Sequence, residues 1–176
     1  MKFYTADLHF NHLNIITYEK RPFKDVDEMN TQLILNWNKK VGPDDEVYIL
    51  GDFCFDNNAK YVNNFLKRLN GKKYLIKGNH DSFLNSKNFD PSDFEWIKQY
   101  AEIKDGDYDV ILFHYPIAVW NKKHHGSIHF YGHIHSNKAE PHPLQWDIGE
   151  AYNVGVDVRD YEPKTLKEIL KSKKHT

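Results

Sequence analysis

The chain has 176 residues, 40% of them hydrophobic and 15% aromatic, enough to bury the core of one domain and unlike a disordered segment. Its 24 basic and 25 acidic residues leave a formal net charge of -1, so no overall field recruits nucleic acid or an anionic membrane. A single cysteine, Cys54, excludes an internal disulfide framework, and with no long apolar segment near Met1 the expectation is a soluble, cytoplasmic protein.

Lys2 to Ala6 reads as a strand, after which Asp7 and His9, two apart, share a face if extended geometry persists. Phe10 to Ile16 reads as a loop, with His12 either lining a pocket or lying on the surface. Asp25 to Val41 predicts a helix with Asp25 as N-cap, Glu28 in the capping-box position, and a core stripe of Val26, Met29, Leu33 and Trp37. Glu46 to Leu50 is a second strand and delivers Gly51-Asp52. A second helix runs from Asn57 or Asn58 to Asn70 with Tyr61, Phe65, Leu66 and Leu69 inward and Gly71 as its stop. Lys73 to Lys77 then forms a third strand that ends in Gly78-Asn79-His80-Asp81. Such alternation implies parallel strands with right-handed crossovers, which gather ligands at the carboxyl ends of the strands.

Ser82 to Glu95 reads as a loop with one helical turn at Asp90-Pro91. Trp96 to Lys104 and Tyr108 to Phe113 flank Asp105-Gly106-Asp107 and predict an antiparallel hairpin in a second sheet, with His114 at its end. Asn121 to Gly126 is an exposed loop whose Lys122, Lys123, His124 and His125 read as a solvated charge run. Ser127 to Tyr131 is a strand leading to Gly132-His133-Ile134-His135, in which His133 and His135 share a face. The Pro- and His-rich stretch 137–149 contains His142, read as a surface residue. Tyr152 to Val158 reads as a last strand, and Pro163 opens a final helix with Leu166, Ile169 and Leu170 inward. Lys171, Lys173 and Lys174 suit the negative end of that helix's dipole.

Five strand ends therefore carry two aspartates, one asparagine and four histidines, with His80 left over: the ligand supply of a dinuclear metal site. Asp52 is the natural bridge, because a carboxylate has two oxygens whereas a neutral imidazole has one free lone pair. Mixed nitrogen and oxygen donors point to manganese foremost, with iron, zinc, nickel or cobalt as alternatives and magnesium less suited.

The pattern D-x-H at Asp7 to His9, G-D at Gly51-Asp52, G-N-H-D at Gly78 to Asp81, the lone His114 and G-H-x-H at Gly132 to His135 stands here complete and in that order. It resembles the calcineurin-like metallophosphoesterase superfamily over positions 7 to 135. The resemblance implies one α/β domain over 1–176, an αββα sandwich of two mixed β-sheets flanked by helices. It implies one divalent ion on Asp7, His9, Asp52 and His135 and a second on Asp52, Asn79, His114 and His133. It also implies that His80 stabilises developing charge and protonates the leaving oxygen, oriented by either Asp56 or Asp81. The expected activity is hydrolysis of phosphodiesters in small or nucleotide-type substrates by metal-activated hydroxide. A phosphomonoesterase, a pyrophosphohydrolase or a protein phosphatase with the same site are alternatives, as is a non-catalytic metal-binding scaffold. A small phosphorylated substrate is the expected partner.

Overall fold

A computed structural model describes residues 1–56, 58–136 and 149–172. In chain order its elements are β1 (Lys2–Thr5), α1 (Leu13–Tyr18), α2 (Val26–Lys40), β2 (Glu46–Leu50), α3 (Ala59–Arg68), β3 (Lys72–Ile76), β4 (Phe94–Lys98) and β5 (Tyr100–Asp105). There follow β6 (Tyr108–Phe113), β7 (Ile128–Tyr131), β8 (Ala151–Asn153), β9 (Lys164–Thr165) and α4 (Leu166–Lys171). Five strands form one sheet in the order β4-β3-β2-β1-β9, parallel except for β9. Four form the other, β5-β6-β7-β8, with β5 antiparallel to β6 and the remainder parallel.

Alternation along the strands builds two apolar layers. Phe3, Val47, Ile49 and Leu75 turn outward from the first sheet to meet Met29, Leu33, Trp37, Phe65 and Leu66 of α2 and α3. Tyr4, Tyr48, Leu50 and Ile76 turn the other way and meet Val110, Leu112, Ile128, Phe130 and Tyr152, so the second core lies between the sheets. Asp25 caps α2 by accepting from the Glu28 amide at 2.8 Å, while Glu28 reaches back one residue further than expected, to the Lys24 amide.

Several boundaries differ from the sequence reading. Trp96 to Lys104 is two strands in different sheets, broken at Gln99; both halves supply the same inter-sheet core through Trp96 and Ala101, so their apolar pattern runs on through the change of sheet. Leu13 to Tyr18 is helical, not loop. Tyr61 is exposed and Val62 takes its place on the inner face of α3, because the buried stripe passes through 62, 65, 66 and 69. The last strand stops at Asn153, whose side-chain oxygen accepts from the Gly155 amide and turns the chain, and residues 156–158 form a 3₁₀ turn. The final helix starts at Leu166, not at Pro163: Thr165 and Glu168 form a full capping box after two residues paired with β1. His142, Lys173 and Lys174 lie outside the described residues.

Candidate metal centre

The carboxyl ends of β1, β2 and β3 deliver Asp7, Asp52 and Asn79, and those of β6 and β7 deliver His114, His133 and His135, all to one edge of the sandwich. The turns there are sharp. Asp7, His9, Asp52, His133 and His135 have left-handed backbones, with φ between 48° and 70°. Each costs of order 1–3 kcal/mol in a non-glycine residue, a concentration of strain characteristic of functional sites. The extended geometry expected for Asp7 and His9 does not persist, yet the two still converge. The turns interlock: Asp7 donates its amide to Gly51 O, His9 to Asp52 O, and Gly132 to His114 O.

Two groups of side chains result. Asp7, His9 and His135 present ligand atoms within 4.8 Å of one another, and so do Asp52, His114 and His133. His133 and His135 therefore divide between the groups instead of sharing a face. Asp52 Oδ2 stands 3.5 Å from His9 Nε2 in one group and 3.5 Å from His114 Nε2 in the other, while its Oδ1 accepts the His80 amide at 2.8 Å. Asn79 Oδ1 lies 2.9 Å from both His114 Nε2 and His133 Nδ1. Leu50 O, 2.7 Å from His114 Nδ1, holds the proton of that ring on Nδ1 and leaves Nε2 as an acceptor aimed at Asn79 and Asp52. His9 Nε2 is buried without a hydrogen-bond partner among the described residues.

Electrostatics fit the same picture. Burial holds His9 and His133 below the ordinary imidazole range, so both are neutral donors of a lone pair at neutral pH. Burial pushes the Asp7 carboxyl up to about 6, against the pull of His135 and His114. For His135, burial pulls down but the Asp157 hydrogen bond and the Asp7 charge outweigh it, raising the group to about 9. Gly132 has no room for a side chain, since a Cβ there would lie 2.7 Å from Asp7 Oδ2. Acceptor atoms converging on two points, an orphaned imidazole nitrogen and a mixed nitrogen and oxygen donor set all fit divalent cations.

His80 is exposed, and neither expected carboxylate orients it: among the described residues its ring has no hydrogen bond. Asp81 is consumed by the amides of Gly78, Asp52 and Phe53 at 2.7, 3.0 and 2.8 Å, and Asp56 by Asn11 Nδ2 and the Asn58 amide. Asp81 is thus a brace for the turn that carries Asp52. His12 touches the site indirectly, its Nδ1 3.3 Å from His9 Nδ1. Lys122 pairs with Asp109, and Lys123 reaches Ala118 O and lies over Trp120, so these two lysines serve their own loop. Sequence reasoning missed Arg21 and Asp157, which lie behind His135, because a buried Arg has no local signature and Asp157 was hidden in an apparent strand.

The family model for calcineurin-like phosphoesterases matches residues 3–94. An uncharacterized protein of Methanocaldococcus jannaschii, MJ1445, is 37% identical over 167 residues, covering 94% of this chain and 87% of that protein. The Gene 66 protein of Mycobacterium phage L5 is 29% identical, covering 76% of each chain. The crystal structure of AQ665, a protein of unknown function from Aquifex aeolicus, superposes with a TM-score of 0.75 at 29% identity, covering 97% of this chain and 98% of that one. The chain belongs to the calcineurin-like phosphoesterase family. It is a metal-dependent phosphoester hydrolase, with His and Asp clusters able to hold divalent ions. Among the described residues no helix is long and apolar enough to cross a membrane.

Proposed function

We propose that this chain is a dinuclear phosphodiesterase acting on small, nucleotide-type substrates, with manganese as its preferred ion. The observation that carries the dinuclear reading is the equal 3.5 Å separation of Asp52 Oδ2 from His9 Nε2 and His114 Nε2. Asp52 would be shared between the two positions, with its Oδ1 also accepting the His80 amide. Asp7, His9 and His135 complete the first position, and Asn79, His114 and His133 the second. Two bound divalent ions would supply Lewis acidity toward the phosphoryl oxygens and acidity toward water. His80, exposed at the rim, protonates the departing oxygen.

The nucleotide reading is supported by an aromatic ledge beside the first position. Phe55, 43% exposed, stacks on His12 with centroids 3.8 Å apart and rings within 6° of parallel, and Tyr18, 68% exposed, makes a T-shaped contact with His12. A planar base can extend such a stack. The test compares metal-free protein, verified by elemental analysis, with protein reloaded with manganese, on mono-, di- and pyrophosphate substrates. Diester hydrolysis should vanish without metal and return with manganese, and Asp52→Asn should lose both ions. Two ions retained by Asp52→Asn with normal turnover would refute the bridge, and a preference for monoesters would refute the substrate class.

A further inference from the structure

Behind His135 lies a buried ion pair that contains none of the residues of the two metal positions. Arg21 Nε and Nη2 bind the two oxygens of Asp157 at 2.8 and 2.9 Å, and the two side chains are 0% and 1% exposed. The guanidinium also donates from Nη2 to Asp7 O at 2.8 Å and from Nη1 to Leu8 O at 2.9 Å. Asp157 Oδ2 in turn lies 2.8 Å from His135 Nδ1. One pair thus touches both chain segments that form the first metal position: the left-handed turn at Asp7 to His9, from the first sheet, and the ring of His135, from beyond the second. Asn153 adds a hold on the same residue, its Nδ2 donating to His135 O at 2.8 Å, and Glu19 fixes the next residue by accepting from Ser136 Oγ at 2.6 Å.

Glu19, His135 and Asp157 could themselves be read as a further cation site. The hydrogen bonds argue otherwise, since both oxygens of Asp157 are already engaged by Arg21 and His135. A carboxylate on Nδ1 keeps the ring proton there, frees Nε2 as the donor atom and fixes the ring plane, which is how carboxylates support metal-binding histidines.

We propose that Arg21 and Asp157 form a positioning clamp for the first metal position, Asp157 setting the tautomer and orientation of His135 while Arg21 locks the Asp7–His9 turn to it. The proposal rests on the dinuclear reading above, and the test separates the two. Mn²⁺ is titrated calorimetrically into metal-free protein, with His135→Ala and His133→Ala marking which ion is lost from each position. Asp157→Asn keeps size but removes the charge and one of the two acceptor oxygens; Asp157→Ala removes the contact. The expected result is that Asp157→Ala binds the first ion roughly 10- to 100-fold more weakly, with Asp157→Asn in between and the second ion within about twofold of wild type. In parallel, long-range ¹H–¹⁵N spectra of the metal-free protein recorded above pH 9, where the ring is neutral, should show the His135 proton on Nδ1 in wild type and a mixture of tautomers in Asp157→Ala. Should Asp157→Ala fail to fold, Asp157→Asn alone decides. Wild-type affinity for both ions in folded variants, or equal weakening of both, would overturn the clamp. Failure of wild type itself to bind two ions would instead overturn the dinuclear reading.

Discussion

At the scale of single residues, the site separates groups that offer lone pairs inward from one that faces out. His9 and His114 are enclosed, whereas the His80 ring is exposed, with Phe55 as a neighbour at 5.2 Å between ring centroids. A proton donor at the rim matters in proportion to how badly the departing oxygen needs a proton. An alkoxide such as a ribose hydroxyl leaves poorly as an anion, while nitrophenolate is stable. For His80→Asn, kcat on a nucleoside diester should fall by roughly two to four powers of ten, with a clearly smaller loss on a nitrophenyl diester and unchanged metal content. Equal losses on both substrates would make His80 an electrostatic group instead of an acid. Ion loss in that variant would move it among the ligands.

At the scale of elements, the strand-end turns are the working parts, and they tolerate little. A Cβ on Gly132 would lie 2.6 Å from Ala6 Cβ and 2.7 Å from Asp7 Oδ2, so Gly132→Ala must push β7's turn away from β1's. The overpacking should cost about 1–3 kcal/mol in a denaturant melt and weaken the first ion. Gly106→Ala, in the β5–β6 turn with nothing within 4 Å of the new methyl, should leave metal binding unchanged. If Gly106→Ala weakened the ion as much, steric crowding at Gly132 would not be the cause. The same turns explain what was legible in the sequence. Strands β1, β2, β3, β6 and β7 and helices α2 and α3 follow from period and capping, and their ends carry the motif residues, so the ligand supply could be read directly. The division of His133 and His135 between two groups came only from the motif resemblance, because it depends on left-handed turns that no alternation pattern encodes. The Arg21–Asp157 pair could not be read, because its members stand 136 residues apart and meet only through packing. The orientation of His80 by Asp81 failed for a related reason: three backbone amides compete for that carboxylate and win.

At the scale of the molecule, each ligand group draws on both halves of the sandwich. Asp7 and His9 follow β1 of the first sheet and His135 follows β7 of the second; Asp52 and Asn79 follow β2 and β3, while His114 and His133 follow β6 and β7. A bound ion would therefore staple the two layers at one edge, where the inter-sheet core gives way to polar side chains, and its binding energy should appear as global stability. At free manganese about 100 times the dissociation constant, each ion should add about 2.7 kcal/mol. In a chain of this size that corresponds to roughly 5–10 °C in Tm per ion. Hydrogen exchange should slow in strands of both sheets; protection confined to one sheet, or a Tm indifferent to chelation, would show that the ions do not join the layers. The effect should also depend on pH in a definite direction. Without metal, His135 keeps its second ring proton up to about 9 and Asp7 its proton up to about 6, whereas His9 is already neutral. An ion entering the first position must displace the His135 proton, so below pH 9 its apparent affinity should rise about tenfold per pH unit, and more steeply below pH 6 where Asp7 is protonated too. Calorimetry in buffers of different ionisation enthalpy measures the protons released, with about one per first-position ion expected at pH 7.5. Release of none would mean that the His135 ring is already neutral in the free protein, with Nε2 unprotonated before the ion arrives.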